Sequence, residues 1–512
     1  MADNHYDNYL EDFTLSIGKV QLKGFVSKQG IANFLNIPYA RVPVRFRTAV
    51  PILISAHSRW LDVSRYGPRC PQKADGLQAS IAHMFEKTSL SQAPDETNCL
   101  HLNIYAPHAT TCLSATSKLP VFVWIHGGAF NIGDNSTQFD GNFLVKRSLE
   151  IGRPIIIVTI NYRLNVFGFL SSRELIEEAR GLGEKPISNQ GLNDQRIALR
   201  WIQSSIHHFG GDASRITLAG ESAGAASVLC HLTGGLPLFQ QALLQSPPAP
   251  RLRTPQEAQT DFDDLVEHAG IPSHASGTEK LAALRGLTSE QLVEIFDGRL
   301  SFPIEDSHWF VGYDRNNQDQ SIFWGDIPTW CSRTVFGNTR DEAALLLALS
   351  SDLPTQEVVE FSCAIAPHIP IPDRIFKEEC TQQELVAWST KEAFINPLLK
   401  IVSSAANKGS RVYIYRIDST DPFPGPLQGF AWHSFGIPLT FYQPPCRVYP
   451  ELASTQDHMS AAFLDLFHGL KPWEEFNQAQ RMIVFKDKST IMVTIDAATV
   501  KEKKDRIDEA YT

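Results

Sequence analysis

A serine hydroxyl is a weak nucleophile at neutral pH, and acyl transfer through it needs a base within hydrogen-bond reach and a third group that orients the base. One serine stands out in Gly220-Glu221-Ser222-Ala223-Gly224, where the glycines permit the close backbone approach of a sharp turn. Alone the pattern is weak, since glycine frequency places about 0.1 such matches in a chain of this length by accident. Two carboxylates follow at a suitable distance. Glu342 comes after a strand-like run and the turn Asn338-Thr339-Arg340-Asp341, while Asp341 would serve equally as a helix-start carboxylate. The histidine candidates are His433, in a loop, and His468, which follows a helical stretch where a solvated histidine is the plain reading. His207 and His208 precede Ser222 and break the chain order nucleophile, acid, base. Developing oxyanion charge needs preset backbone donors, and the loop His126-Gly127-Gly128-Ala129-Phe130 has the composition to supply them from Gly128 and Ala129, with Ala223 beside the nucleophile as a third. That loop is no phosphate cradle, because the chain has no G-x-G-x-x-G or G-K-[ST] there.

These residues need a rigid frame, and the sequence predicts one. Arg215 to Ala219 reads as a short buried strand and Ala223 to Leu232 as a helix rich in small residues, so Ser222 falls on the turn between them. Strands are expected over Phe13–Ile17, Val20–Val26, Ile31–Asn36, Leu100–Tyr105, Leu119–His126 and Pro154–Tyr162. The last two are almost continuously apolar, as central strands buried on both faces are. A helix is expected over Asn189–Phe209, ended by Gly210-Gly211-Asp212, and further strands at Gln241–Gln245, Thr334–Gly337 and Val412–Ile417. This alternation argues for one doubly wound α/β sheet in a single domain, with insertions over about 247–333 and 341–404 forming pocket walls or a lid. Helices are expected within the first insertion at Pro255–Ala269 and Glu279–Phe296.

Composition narrows the partners. With 512 residues, 43% of them hydrophobic, the chain can bury a large core, and its net charge of −10 makes nucleic acid an unsuitable partner. No apolar run is long enough to span a membrane, and the first residues lack a secretory pattern, so a cytoplasmic location is the expectation, with a mature secreted form as the alternative. Eight cysteines with no C-x-x-C or Cys/His spacing suggest neither a disulfide scaffold nor a zinc site, and no metal or organic cofactor is expected.

Taken together, these residues resemble the type-B carboxylesterase family, which includes cholinesterases, lipases and fungal esterases. The likeness rests on Ile37-Pro38-Tyr39-Ala40 with Arg45-Phe46, on Cys99-Leu100-His101-Leu102-Asn103-Ile104-Tyr105, on Asn161-Tyr162-Arg163-Leu164, and on the run from Gly191-Leu192-Asn193-Asp194 to the turn at Ser222. It implies an α/β-hydrolase fold, Ser222 as nucleophile, Glu342 as acid, His433 as base, and Gly128, Ala129 and Ala223 as oxyanion donors. It also implies an Arg163–Asp194 ion pair, supporting positions at Glu221 and Ser246, and a disulfide between Cys70 and Cys99. Thr97-Asn98 replaces the family's acidic pair before Cys99, so the partner of Arg45 is expected to be lost or to move to Glu96. No tryptophan lies between Cys70 and Cys99, which argues against a quaternary ammonium substrate, and no cysteine lies between Cys230 and Cys331 for a second family disulfide.

The function expected is hydrolysis of a small-molecule ester or lactone through an acyl-enzyme. A biosynthetic acyltransferase, lactonase or cyclase of fungal secondary metabolism would use the same groups, and a non-catalytic esterase-like binding protein is the remaining alternative. Met84, Phe85, Trp309, Phe310 and Trp432 are the aromatic and apolar residues expected to wall the pocket.

Overall fold

A computed structural model describes residues 8–495 apart from 57–58, 74–80, 87–92, 109–117, 347–358, 360–361, 364–370, 372–374, 376–380 and 478–479. In chain order its strands are β1 (Tyr9–Ile17), β2 (Val20–Ser27), β3 (Ile31–Pro38), β4 (Ala40–Arg41), β5 (Val50–Pro51), β6 (Trp60–Asp62), β7 (His101–Pro107), β8 (Leu119–Ile125), β9 (Ile156–Ile160), β10 (Gly211–Glu221), β11 (Gln241–Gln245), β12 (Arg333–Thr339), β13 (Val412–Ile417), β14 (Arg481–Lys486) and β15 (Ser489–Thr494). The main sheet has the order β1-β2-β3-β7-β9-β8-β10-β11-β12-β13-β14-β15, with β6 paired to β2, and β4 and β5 form a separate ribbon. From β9 to β14 every pairing is parallel. The flanks at β1-β2-β3-β7-β9 and at β14-β15 are antiparallel.

Side-chain alternation along the central strands divides the interior into two layers. Val121, Val123 and Ile125 of β8 pack on one face with Leu199 and Ile202 of the Gln190–Ser205 helix. Phe122 and Trp124 point to the other face, where they meet Phe467 and Phe441 at ring separations of 4.5 and 5.2 Å. The sheet changes direction around β8, which has β9 on one side and β10 on the other. In open α/β sheets such a switch leaves a crevice at the carboxyl ends of the strands, and the His126–Phe130 loop and Ser222 both emerge there.

Several elements differ from expectation, among them the β4-β5 ribbon and β6, which were not expected. The helix expected over Glu279–Phe296 is two helices, Gly277–Gly286 and Ser289–Ile295, because Thr288 accepts from the Gln291 amide and starts a new capping box. The β14-β15 hairpin at the sheet's edge was not expected.

Candidate active site

β10 delivers Glu221, and the Ala223–Thr233 helix begins two residues later. Ser222 carries the turn with φ 55° and ψ −121°, a conformation costing about 1–3 kcal/mol that the surroundings must hold. Its amide donates to the Gln245 carbonyl at 3.0 Å and its carbonyl accepts from Ala226 at 2.9 Å, fixing it to β11 on one side and to the helix on the other. Gly224 is needed for approach, since a Cβ there would run into the Ile125 carbonyl at the end of β8.

Glu342 lies just past the end of β12, fully buried. Its Oε1 accepts from the Thr339 amide at 2.8 Å and from Asn338 at 3.2 Å, and its Oε2 lies 2.7 Å from His433 Nδ1. The two residues are tied again by the His433 amide donating to the Glu342 carbonyl at 3.2 Å. Asp341, the competing carboxylate, instead binds Arg340 at 2.8 Å and the Ala431 amide at 2.9 Å. His468 is remote from this group, with Nε2 on the Pro154 carbonyl at 3.2 Å.

His433 Nε2 points to Glu221 Oε1 at 3.2 Å, and the same oxygen accepts from Ser434 Oγ at 2.7 Å. Burial alone lowers the His433 pKa, but the Glu221 and Glu342 carboxylates outweigh it and hold it above the ordinary histidine value. Burial pushes the Glu221 carboxyl upward. Ser434 was missed in the sequence, although its adjacency to His433 was a signal. Ser246, buried after β11 with φ 48°, donates its amide to the Gly337 carbonyl at 2.7 Å and so ties β11 to β12 beneath the site.

The glycine-rich loop is bent by positive φ at Gly128 (103°), Ala129 (53°) and Phe130 (60°). The Asn131 and Ile132 amides both donate to the Gly128 carbonyl, at 2.9 and 3.0 Å. Among the described residues, no protein acceptor takes the amides of Gly128, Ala129 or Ala223.

Ser222, Ala129, Ala223, Glu342 and His433 line one cavity, whose remaining walls are mostly apolar. Among the described residues, the aromatic walls are Phe130, Phe302, Trp324 and Phe394, rather than the residues expected. Trp309 and Trp432 are turned into the interior, where their indole N–H groups donate to the Cys230 carbonyl and to Asp421, each at 2.8 Å. Met84 and Phe85 pack in the core layer, and Phe310 packs against Trp324 at 6.0 Å. Phe394, 5.0 Å from the His433 ring, sits in a π-type turn at Lys391–Ile395. Pro397 has no N–H for the Ala393 carbonyl one turn back, and that carbonyl accepts from the Ala249 amide at 2.8 Å.

Support around the site follows the sequence closely in two places. Arg163 and Asp194, both buried, form a two-pronged pair at 2.7 Å per contact. Arg45 binds Glu96, at 2.9 to 3.2 Å. Cys70 and Cys99 differ from the disulfide that the resemblance implies, since both are buried free thiols. The Cys70 contact and burial hold the Cys99 thiol well above its ordinary pKa, and the Leu164 amide donates to Cys70 Sγ at 3.3 Å. Among the described residues no His, Cys, Asp and Glu side chains group to hold a metal ion, and no helix is long and apolar enough to cross a membrane.

A carboxylesterase family model matches residues 13–319. The chain belongs to the carboxylesterase family. Its relatives within this family include lipase 2 of Diutina rugosa, 34% identical over 53% of this chain and 51% of the lipase, so the chain spans about half the length of that relative. The para-nitrobenzyl esterase of Bacillus subtilis is 28% identical over 84% of this chain and 82% of its own. A Geobacillus stearothermophilus carboxylesterase structure superposes with a TM-score of 0.73 and 27% identity, covering 95% of this family member and 99% of the other chain. The shared architecture is the α/β-hydrolase fold.

Proposed function

We propose that this chain hydrolyses carboxylic esters of small molecules through an acyl-enzyme on Ser222. The observation that carries the reading is the 2.7 Å contact between Glu342 Oε2 and His433 Nδ1, in a cavity whose wall also holds Ser222 on a strained turn. The Glu342 carboxylate accepts Nδ1–H and leaves Nε2 as the basic nitrogen. Ser222 Oγ attacks the ester carbonyl as His433 takes its proton, a step for which contacts in the free enzyme tighten once substrate is bound. The amides of Gly128, Ala129 and Ala223 receive the oxyanion, and each such donor is worth about 2.7–4 kcal/mol in the transition state. His433 returns the proton to the leaving alcohol, and water then cleaves the acyl-enzyme by the same route.

The continuous sheet supports reading the chain as one domain with insertions over about 247–333 and 341–404. Free thiols at Cys70 and Cys99 support a reducing, cytoplasmic setting, which cell fractionation tests. For the chemistry, wild type and Ser222→Ala are treated with a serine-reactive phosphonate and assayed on p-nitrophenyl esters of graded length. An adduct on Ser222 with loss of activity in the variant is expected. A wild-type protein that cleaves these esters without modification at Ser222 overturns the assignment.

A further inference from the structure

The loop that carries His433 is held at every residue from Gly429 to Ser434. The Gly429 amide donates to the Asp421 carbonyl at 2.8 Å, and the Asp421 amide donates to the Phe430 carbonyl at 2.9 Å. Ala431 exchanges two hydrogen bonds with Asp341, each of 2.9 Å. His433 is tied to Glu342, and Ser434 to Glu221. Trp432 is fixed by its side chain, the buried indole N–H donating to Asp421 Oδ2 at 2.8 Å. Asp421 itself lies buried on the loop that leaves β13.

We propose that Asp421 is a positioning residue for the acyl-transfer reaction: by fixing the Trp432 indole it sets the direction of the adjoining His433 imidazole toward Ser222. The proposal rests on Ser222 and His433 acting as nucleophile and base. Trp432 pairs with Asp341 in a parallel bridge, and in such extended backbone neighbouring side chains face opposite ways. The indole accordingly packs in a core layer, 5.8 Å from the Phe435 ring, while His433 lines the cavity. The two side chains stand on Cα atoms only about 3.8 Å apart, so a shift of the indole is passed to the imidazole. Glu342 and Asp341 hold the loop from the end of β12 alone; Asp421 adds a second hold from β13.

Asp421 has a local task as well, because its Oδ1 accepts from the Phe423 amide at 2.8 Å and closes a turn. Asparagine or serine closes such a turn equally, without a charge. Burial works against the ionised Asp421 carboxylate and lifts its pKa, so the charge is held there at a cost. The second oxygen gives that charge a use, since a hydrogen bond to an ionised acceptor is stronger than one to a neutral oxygen. A purely stabilising role for the Asp421–Trp432 contact predicts lower stability when it is broken, with the turnover of the folded enzyme intact. A positioning role predicts slower turnover with substrate binding intact.

The test measures kcat and KM on p-nitrophenyl butyrate, together with urea unfolding, for Trp432→Phe, Asp421→Asn and the double variant. Trp309→Phe is the matched control, because that indole makes the same 2.8 Å bond to a buried acceptor, the Cys230 carbonyl, away from the base. Trp432→Phe is expected to lose about 10- to 100-fold in kcat with KM near the wild-type value. Trp309→Phe loses stability and keeps its kcat. In Asp421→Asn the Phe423 amide and the indole compete for one oxygen, so kcat falls by less than in Trp432→Phe. The double variant falls no further than Trp432→Phe alone, since both changes break one hydrogen bond. Variants that lose stability and keep wild-type kcat overturn the proposal, as do single losses that multiply in the double variant. Should Trp432→Phe not fold, a wild-type kcat in Asp421→Asn overturns it alone. Failure of the underlying reading looks different: wild type then gains no phosphonate adduct on Ser222.

Discussion

Replacing Glu221 with glutamine tests the electrostatics around the base with little change in shape. Glutamine keeps an oxygen to accept from Ser434 Oγ, now 2.7 Å from Glu221 Oε1, and it removes the negative charge 3.2 Å from His433 Nε2. On the proposed reading His433 is neutral when it takes the Ser222 proton, so activity is expected to fall as pH drops through its pKa. Glu221 and Glu342 raise that pKa against the effect of burial, placing the acid limb of kcat/KM above the ordinary histidine value. Removing one carboxylate destabilises the imidazolium, and the limb moves to lower pH. A hydrogen bond to a charged group is worth about 1.5–3 kcal/mol, and one pH unit corresponds to about 1.36 kcal/mol, so the displacement is about 1 to 2 units. The wild-type limb belongs to the Glu221–His433 pair, because burial raises the Glu221 pKa toward that of its neighbour, whereas the variant titrates as His433 alone. The assay is kcat/KM against pH on a p-nitrophenyl ester whose leaving group is monitored below its own pKa. A limb that stays in place or moves upward refutes the reasoning.

Three further outcomes follow from the packing. Glu342→Gln disturbs the His433 tautomer while keeping an acceptor for Thr339, so kcat is expected to fall roughly 10⁴-fold with little change in the denaturation midpoint, measured by steady-state kinetics and urea unfolding. Gly224→Ala drives a methyl into the Ile125 carbonyl, so unfolding free energy is expected to drop by about 1–3 kcal/mol with activity lost at temperatures where the protein stays folded. Asp194→Ala leaves the Arg163 guanidinium buried without its carboxylate, and urea titration should show about 3–5 kcal/mol less stability; a loss under 1 kcal/mol would mean that water reaches Arg163.

The legible parts of this protein are those fixed by short stretches of chain. The turn at Ser222 is written in five consecutive residues, and the strands β8 and β9 in almost unbroken apolar runs, so local steric and burial rules sufficed for both. The candidate acid and base needed more, since Asp341 and Glu342 are adjacent and only the fold turns Asp341 toward Arg340 and Glu342 toward His433. The cavity walls were illegible because Phe130, Phe302, Trp324 and Phe394 come from distant segments, while the more conspicuous Trp309 and Trp432 found buried acceptors that no sequence pattern announces. The β14-β15 hairpin was missed for a different reason. Its second strand is mostly exposed and lacks the continuous apolar run that marked the central strands.

The π-type turn at Lys391–Ile395 gives this protein a route to change its substrate without touching its chemistry. Ser222 and Glu342 are fixed by the ends of β10 and β12, whereas Phe394 reaches His433 from a helix joined to the β11 loop by the Ala393–Ala249 hydrogen bond. Gain or loss of one residue within that turn rotates the side chains on one side of it by about 100° relative to the other, leaving the sheet register intact. Lineages descended from such a chain can therefore diversify by single-residue insertions in a helix, trading the ring over the histidine for another side chain in one step.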